Sequence, residues 1–291
     1  MKQTKLKVFY NSNQSTDKND SLSPSAGKPK IIAEEFAKNS MVEVVSEFHP
    51  LLRSEISVAH DKDHVDDVLN CVKNNGFRNK IKEVADTLPW TNGSFYAAAD
   101  HAWKHKEVTM SPTSGFHHAE WRLCEGFCTF NGLMISAILL KERNPEIKRI
   151  GIIDIDAHYG NGTDDIIKVK DIDYIQHYTF GAHADVLKKN NIMDRWLGWM
   201  KLNIFPKFKD CDIVLYQAGG DPHVNDPYGG YLTTEQMLER DYAVFEFCKQ
   251  NNIPIAWNLA GGYQKPIEKV IELHMNTLDA CLNVFCSSVQ D

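Results

Sequence analysis

The stretch Arg149–Gly162, RIGIIDIDAHYGNG, decides the fold. Arg149 to Ile155 is a nearly continuous apolar run of strand length, and an Asp, a His and two glycines follow it at once. A strand without polar alternation is covered on both faces, as inside a parallel sheet. Asp173–Phe180 (DYIQHYTF), Asp212–Ala218 (DIVLYQA) and Ile253–Leu259 (IPIAWNL) read the same way, and Lys5–Tyr10 (KLKVFY) reads as a short first strand. Glu235–Asn251 and Pro266–Phe285 read as helices between and after these strands. Strands alternating with helices predict an α/β fold with one mostly parallel sheet flanked by helices.

Working back toward the N-terminus, residues 11–29 are rich in Ser, Asn and Asp and read as a loop. A loop of this length in a compact fold is often a lid or the rim of a binding site. Pro29 is placed to open a helix running to about Phe48. Asp63 to about Asn74 reads as a helix with Val65, Val68, Leu69 and Val72 on one face. Gly126 to about Arg143 reads as a buried helix stopped by Asn144-Pro145. No repeat and no Pro/Gly/Ser linker divides the chain, so residues 1–291 are expected to form a single domain.

The 291 residues carry 32 Lys and Arg against 39 Asp and Glu, a net charge of −7. That excludes nucleic acid and anionic membrane as main partners. No apolar run of about 18 residues exists to span a bilayer. The opening MKQTKLKVFYNSNQ lacks the apolar core of a signal peptide. Seven cysteines without CxxC spacing suggest reduced thiols, and the expected location is cytoplasmic. Nothing in the sequence fixes an oligomeric state.

Polar clusters follow the strands, where open α/β sheets bind their ligands. Asp154-Ile155-Asp156-Ala157-His158 follows one strand, Gly219-Gly220-Asp221-Pro222-His223 a second, and Ala260-Gly261-Gly262-Tyr263 a third. Ser114-Gly115-Phe116-His117-His118 forms a fourth cluster. Residues two apart in an extended segment point to the same side, so Asp156 and His158 converge. With Asp221 from the next strand end they make a three-ligand N/O set with an open position, as a catalytic zinc requires. Two adjacent histidines beside such a metal suit hydrolysis, one moving a proton, while Tyr263 can donate its O–H to an oxyanion. Taken singly, each cluster is an ordinary turn or helix cap; it is their coincidence at strand ends that points to a site. The six tryptophans are read mainly as core.

These motifs resemble the zinc-dependent histone deacetylase and acetylpolyamine amidohydrolase superfamily. The resemblance runs from about Lys7 to Phe285 and is carried by GFHHAE (115–120), EGFCTFN (125–131), IDIDAHYGNGT (153–163), AGGDPHVNDPYGG (218–230) and LAGGYQK (259–265). HDKDHVDDVL (60–69) is similar to a further family segment, and LAGGYQK leans toward the class IV and bacterial branch. The resemblance implies the arginase–deacetylase fold and one zinc, or Fe(II), on Asp156, His158 and Asp221. It implies His118 as general base and acid, His117 as its neighbour oriented by Asp154, Asn161 behind the base, and Tyr263 polarising the carbonyl. It also implies Gly126 and Phe127 in the substrate channel and a structural K⁺ or Na⁺ beside Asp154, and either His177 or Tyr178 is expected to supply part of the channel wall.

Tyr159 stands where many members carry a second histidine, and no counterpart of the peptide-gripping rim Asp is seen. The arginase-type alternative needs two manganese ions and further Asp ligands at positions held here by Gly160 and His223. A non-catalytic acyl-group reader is a third alternative. The expected substrate is a small acetylated amine such as an acetylpolyamine, on the strength of the −7 charge, the missing rim Asp and the 11–29 loop; a protein acyl-lysine is the alternative.

Overall fold

The computed structural model describes residues 3–286. The first half runs β1 (Leu6–Phe9), α1 (Lys28–Phe36), β2 (Val42–Val45), α2 (Arg53–Ile56), α3 (Lys62–Leu69), α4 (Lys82–His105), β3 (Val108–Ser111) and α5 (Gly132–Arg143). The second half runs β4 (Ile150–Asp154), α6 (Asn161–Val169), β5 (Ile175–Thr179), α7 (Ala184–Lys189), α8 (Met193–Asn203), β6 (Ile213–Gly219), α9 (Thr234–Gln250), β7 (Ile255–Ala260) and α10 (Glu268–Phe285).

The seven strands form one sheet in the order β2-β1-β3-β7-β6-β4-β5, parallel throughout. Both faces are covered, as the unbroken apolar runs require. Leu6, Val8, Phe36, Val214, Phe245 and Trp257 belong to one core; Phe95, Phe130, Leu133, Ile152 and Leu215 belong to the other. Neighbouring residues of one strand, such as Val214 and Leu215, therefore face opposite layers. Of the tryptophans, Trp196 and Trp257 are buried in the first core.

Several elements depart from the sequence reading. The helix expected from Pro29 to Phe48 ends at Phe36, and Val42–Val45 is instead a strand paired with β1. Met41 N–H donates to the Asn39 side chain in the intervening turn. Four residues at a sheet edge are too few for periodicity to separate strand from helix. The helix expected to Asn74 ends at Leu69, which leaves Val72 exposed. Residues 126–131 are loop, not the first turns of α5: Gly126 and Phe127 both have left-handed φ (56° and 63°), and Asn131 caps the helix by accepting from Met134 N–H.

The long α4 and the strand β3 escape sequence reading because Pro89 falls inside the helix. An interior proline costs a helix about 3 kcal/mol. Here Val84, Leu88, Phe95, Ala98, Ala99 and Ala102 are all buried, and that packing offsets the cost.

Candidate active site

The four adjacent strands β3, β7, β6 and β4 end at one place, and the loop after each delivers a piece of the site. The loop after β4 carries Asp156 and His158, the loop after β6 carries Asp221, the loop after β7 carries Tyr263, and the segment after β3 carries His117 and His118.

Ligand atoms of Asp156, His158 and Asp221 all lie within 4.8 Å of one another. The His158 ring turns Nδ1 toward both carboxylates, 3.0 Å from Asp156 Oδ1 and 3.0 Å from Asp221 Oδ2. Backbone donors hold the carboxylates in place: His158 N–H donates to Asp156 Oδ1 (2.9 Å) and Ala157 N–H to Asp221 Oδ1 (3.1 Å). Asp221 is fully buried, and its Oδ2 has no aligned hydrogen bond despite the nearby imidazole. Gly261, at φ 25°, is required beside it, because a Cβ there would fall on the Asp221 carboxyl group.

Charge tests whether this set fits a cation. Burial, and then the Asp156 charge, push the Asp221 carboxyl up to about 7. Asp156 is held low: burial opposes this, but His117 and the hydrogen bonds from His158 win. Hydrogen bonds to both carboxylates push His158 up to about 11. Two buried carboxylates held this close need positive charge between them, and protons supply it when no ion does. Two carboxylate oxygens and one imidazole nitrogen around an orphaned lone pair are the donor set of a catalytic zinc-type site. The residues fit a single divalent ion.

The adjacent histidines differ in what stands behind them. His117 Nδ1–H donates to Asp154 Oδ2 at 2.7 Å. Burial lowers its basicity, but the Asp154 and Asp156 charges raise it to about 9. The other Asp154 oxygen accepts from Gln217 Nε2 (2.9 Å) and from Asp156 N–H (3.2 Å). His118 Nδ1–H donates to Asn161 Oδ1 at 2.6 Å. Burial, then the His117 charge, bring His118 down to about 4, against the pull of Asn161. His118 therefore rests neutral with Nε2 free to accept.

A narrow cavity of about 20 Å³ joins these groups, with His117, His118, Asp156, His158, Phe127 and Tyr263 among its lining residues. It has room for about one water molecule. Gly126 also lines it, at a left-handed φ where a Cβ would strike the His118 ring. The Phe127 ring stands 5.7 Å from the Tyr263 ring, and Tyr228 meets Tyr263 edge-on at 5.0 Å. Asp226 carries the Tyr263 loop by accepting from its backbone N–H (2.7 Å).

His177 corrects an expectation. It does not line the cavity; it sits on β5, where Nδ1 pairs with Asp164 Oδ1 at 2.7 Å. Asp164 in turn accepts from the Tyr159 hydroxyl at 2.5 Å.

Sequence reasoning missed four contributors. Ser25 lines the cavity from the 11–29 segment. Lys28 is fully buried and donates to Gly261 O (2.5 Å) and Ala260 O (3.3 Å), at the root of the Tyr263 loop. Gln217 holds Asp154 from β6. Arg240 is fully buried on α9; its Nη1 donates to Gly219 O (2.7 Å), two residues before Asp221, and its Nε and Nη2 donate to Asp241. No local sequence signal separates Lys28 and Arg240 from ordinary surface cations: Arg240 stands between Glu239 and Asp241, and Lys28 is followed by Pro29 and Lys30.

A parallel sheet of this order, with an Asp-His-Asp set and a His-His pair at its carboxyl edge, defines the arginase–deacetylase fold. The chain belongs to the histone deacetylase domain family, whose model matches residues 24–185. It is similar to Histone deacetylase 2 of Arabidopsis thaliana, 28% identical over 245 residues covering 72% of this chain and 61% of that one. An uncharacterized protein of the cyanobacterium Picosynechococcus is 28% identical over 215 residues, 64% of this chain and 69% of that one. Histone deacetylase 18 of Arabidopsis thaliana is 29% identical over 256 residues, and the match spans 37% of its length. The crystal structure of the HDA15 HD domain superposes with a TM-score of 0.75, covering 99% of this chain and 92% of that one at 17% identity, which establishes the fold.

Proposed function

We propose that the chain is a metal-dependent amidohydrolase that removes a short acyl group, acetyl first of all, from an amine. The observation that carries this reading is the Asp156, His158 and Asp221 set, gathered within 4.8 Å, with Asp156 and His158 lining one cavity. Zn²⁺ suits these donors, and Fe²⁺ is the alternative. When bound, such an ion polarises the amide carbonyl and lowers the pKa of water.

The chain's own groups supply the rest. His118 Nε2 accepts the proton of the attacking water, and Asn161 holds the ring through its Nδ1–H. His117, kept charged by Asp154, adds positive potential beside the developing oxyanion. Tyr263 donates its hydroxyl to that oxygen; burial first, then the Asp221 charge, raise its pKa, so it stays protonated. His118 then passes the proton to the leaving nitrogen as the carbon–nitrogen bond breaks. Amide and water become carboxylic acid and amine.

The narrow cavity leaves no room for a long acyl chain. A small acylated amine and an acyl-lysine side chain both present a short acyl group. No described helix is long and apolar enough to cross a membrane. All seven cysteines are free thiols, which supports a reducing compartment such as the cytoplasm.

The test is acetate release from an acetyl-lysine peptide and from a small N-alkylacetamide by the metal-loaded protein. Turnover that disappears in Asp221→Asn supports the proposal. Binding of both compounds without hydrolysis identifies an acyl-group reader and overturns it.

A further inference from the structure

We infer that the mouth of this site selects acylated amines whose far end carries an anion, a carboxylate in the simplest case, and disfavours cationic polyamines. The inference rests on the amidohydrolase reading and names the substrate class of that same site.

A second space of about 430 Å³ lies on the other side of Phe127 and Tyr263 from the narrow cavity, and we take it as the vestibule. Phe127 and Tyr263 line both, so the vestibule is where the amine portion of a substrate leaves the reacting carbonyl. Its walls are mixed: Leu22 from the 11–29 segment, Tyr228 beside Tyr263, and the amides Asn225 and Gln264. Lys265 and Lys269 are its charged lining residues. Both are exposed, and neither ammonium has a carboxylate partner among the described residues.

No carboxylate is among the vestibule's lining residues, and the acidic groups nearby are held in place by neutral donors. Asp20 accepts from Asn79 Nδ2 at 2.7 Å, and Glu125 faces Asn161 Nδ2 at 3.4 Å. Asp226 is buried, with its two oxygens on the backbone N–H groups of Tyr228 and Tyr263. Glu268 neighbours Lys269 in the chain but does not line the vestibule. The net charge of −7 belongs to the whole surface. At physiological salt a surface charge reaches about 8–10 Å, and the charged groups in direct contact with the vestibule are Lys265 and Lys269. A long polyamine would bring a second ammonium to these two lysines. A carboxylate on the same chain would meet two unpaired donors.

Three acetamides on one carbon chain isolate the charge: 6-acetamidohexanoate (anionic), N-hexylacetamide (neutral) and N-acetylcadaverine (cationic). The expected order of kcat/KM is anion, neutral, cation, with the anion ahead of the cation by about tenfold at low salt and by less as salt rises. In Lys265→Glu/Lys269→Glu the anion-to-cation ratio inverts. A wild-type preference for the cation, or a ratio unmoved by the double variant, overturns the inference. If the metal-loaded protein hydrolyses none of the three, the amidohydrolase reading fails instead, and calorimetric binding of the same compounds decides the charge order. Peptides with acetyl-lysine between two Asp or between two Lys separate the two sources of the anion. A larger kcat/KM for the Asp peptide than for 6-acetamidohexanoate places it on a protein, and the reverse places it on a small molecule.

Discussion

His118 Nδ1 donates to Asn161 Oδ1 at 2.6 Å, so the histidine assigned to proton transfer leans on an amide and not on a carboxylate. The amide cannot turn over freely, because its Nδ2 donates to Glu120 Oε1 at 2.8 Å. The ring is thereby fixed as the Nδ1–H tautomer with Nε2 toward the cavity, without a negative charge to raise its basicity.

Replacing Asn161 with Asp puts a carboxylate behind His118 and raises its pKa from a resting value depressed to about 4. A general base works when deprotonated, so the acid limb of kcat/KM moves to higher pH in Asn161→Asp. The pH–rate profile checks this; an unmoved acid limb assigns that limb to another group.

Tyr263→Phe removes one O–H donor while leaving the ring stack with Phe127 and Tyr228. The expected loss is about 100-fold or more in kcat with metal content unchanged, as for an oxyanion donor. A kcat near wild type assigns the oxyanion to another group.

His118→Ala damages turnover more than His117→Ala, since a positioned acid–base is worth about 100- to 10,000-fold. His117 has the stronger ion pair, with Asp154 at 2.7 Å, and its loss weakens the field at the site more than the proton transfer itself. Steady-state kinetics of the two variants decide the order, and the reverse order exchanges the roles.

Arg240→Met leaves Asp241 charged in the core, with only the Tyr216 hydroxyl and Thr277 Oγ1 still donating to it. Removing one partner of a buried ion pair costs about 3–5 kcal/mol. Chemical denaturation checks this, and a second change, Asp241→Asn, recovers part of the loss. A cost below about 1 kcal/mol shows that water reaches the pair.

The ligand set was legible because Asp156, His158 and Asp221 interrupt apolar strands at the moment those strands end. One strand ending on Asp, His or Gly is an ordinary turn; several neighbouring strands ending so is what marks the site. The 11–29 segment was also legible as a rim, and Ser25 and Leu22 do reach the cavity and its vestibule. The placement of His177 in the channel wall rests on resemblance alone, and its ring pairs instead with Asp164 on the neighbouring helix. Long-range bonds such as Lys28 to Gly261 join residues far apart in sequence and leave no local pattern. Net charge counts every surface residue and carries no position, so the lysines that line the vestibule, Lys265 and Lys269, were not legible from it.

The central claim is one divalent ion held by Asp156, His158 and Asp221 and required for amide hydrolysis. Metal analysis of the purified protein, paired with turnover of an acetyl amide before and after chelation, tests it most directly. The account predicts about one equivalent of Zn²⁺ or Fe²⁺ per chain, loss of turnover on its removal, recovery on adding one equivalent back, and neither metal nor turnover in Asp221→Ala. Full turnover by the metal-free protein, or two equivalents of manganese with hydrolysis of arginine or agmatine, would contradict it.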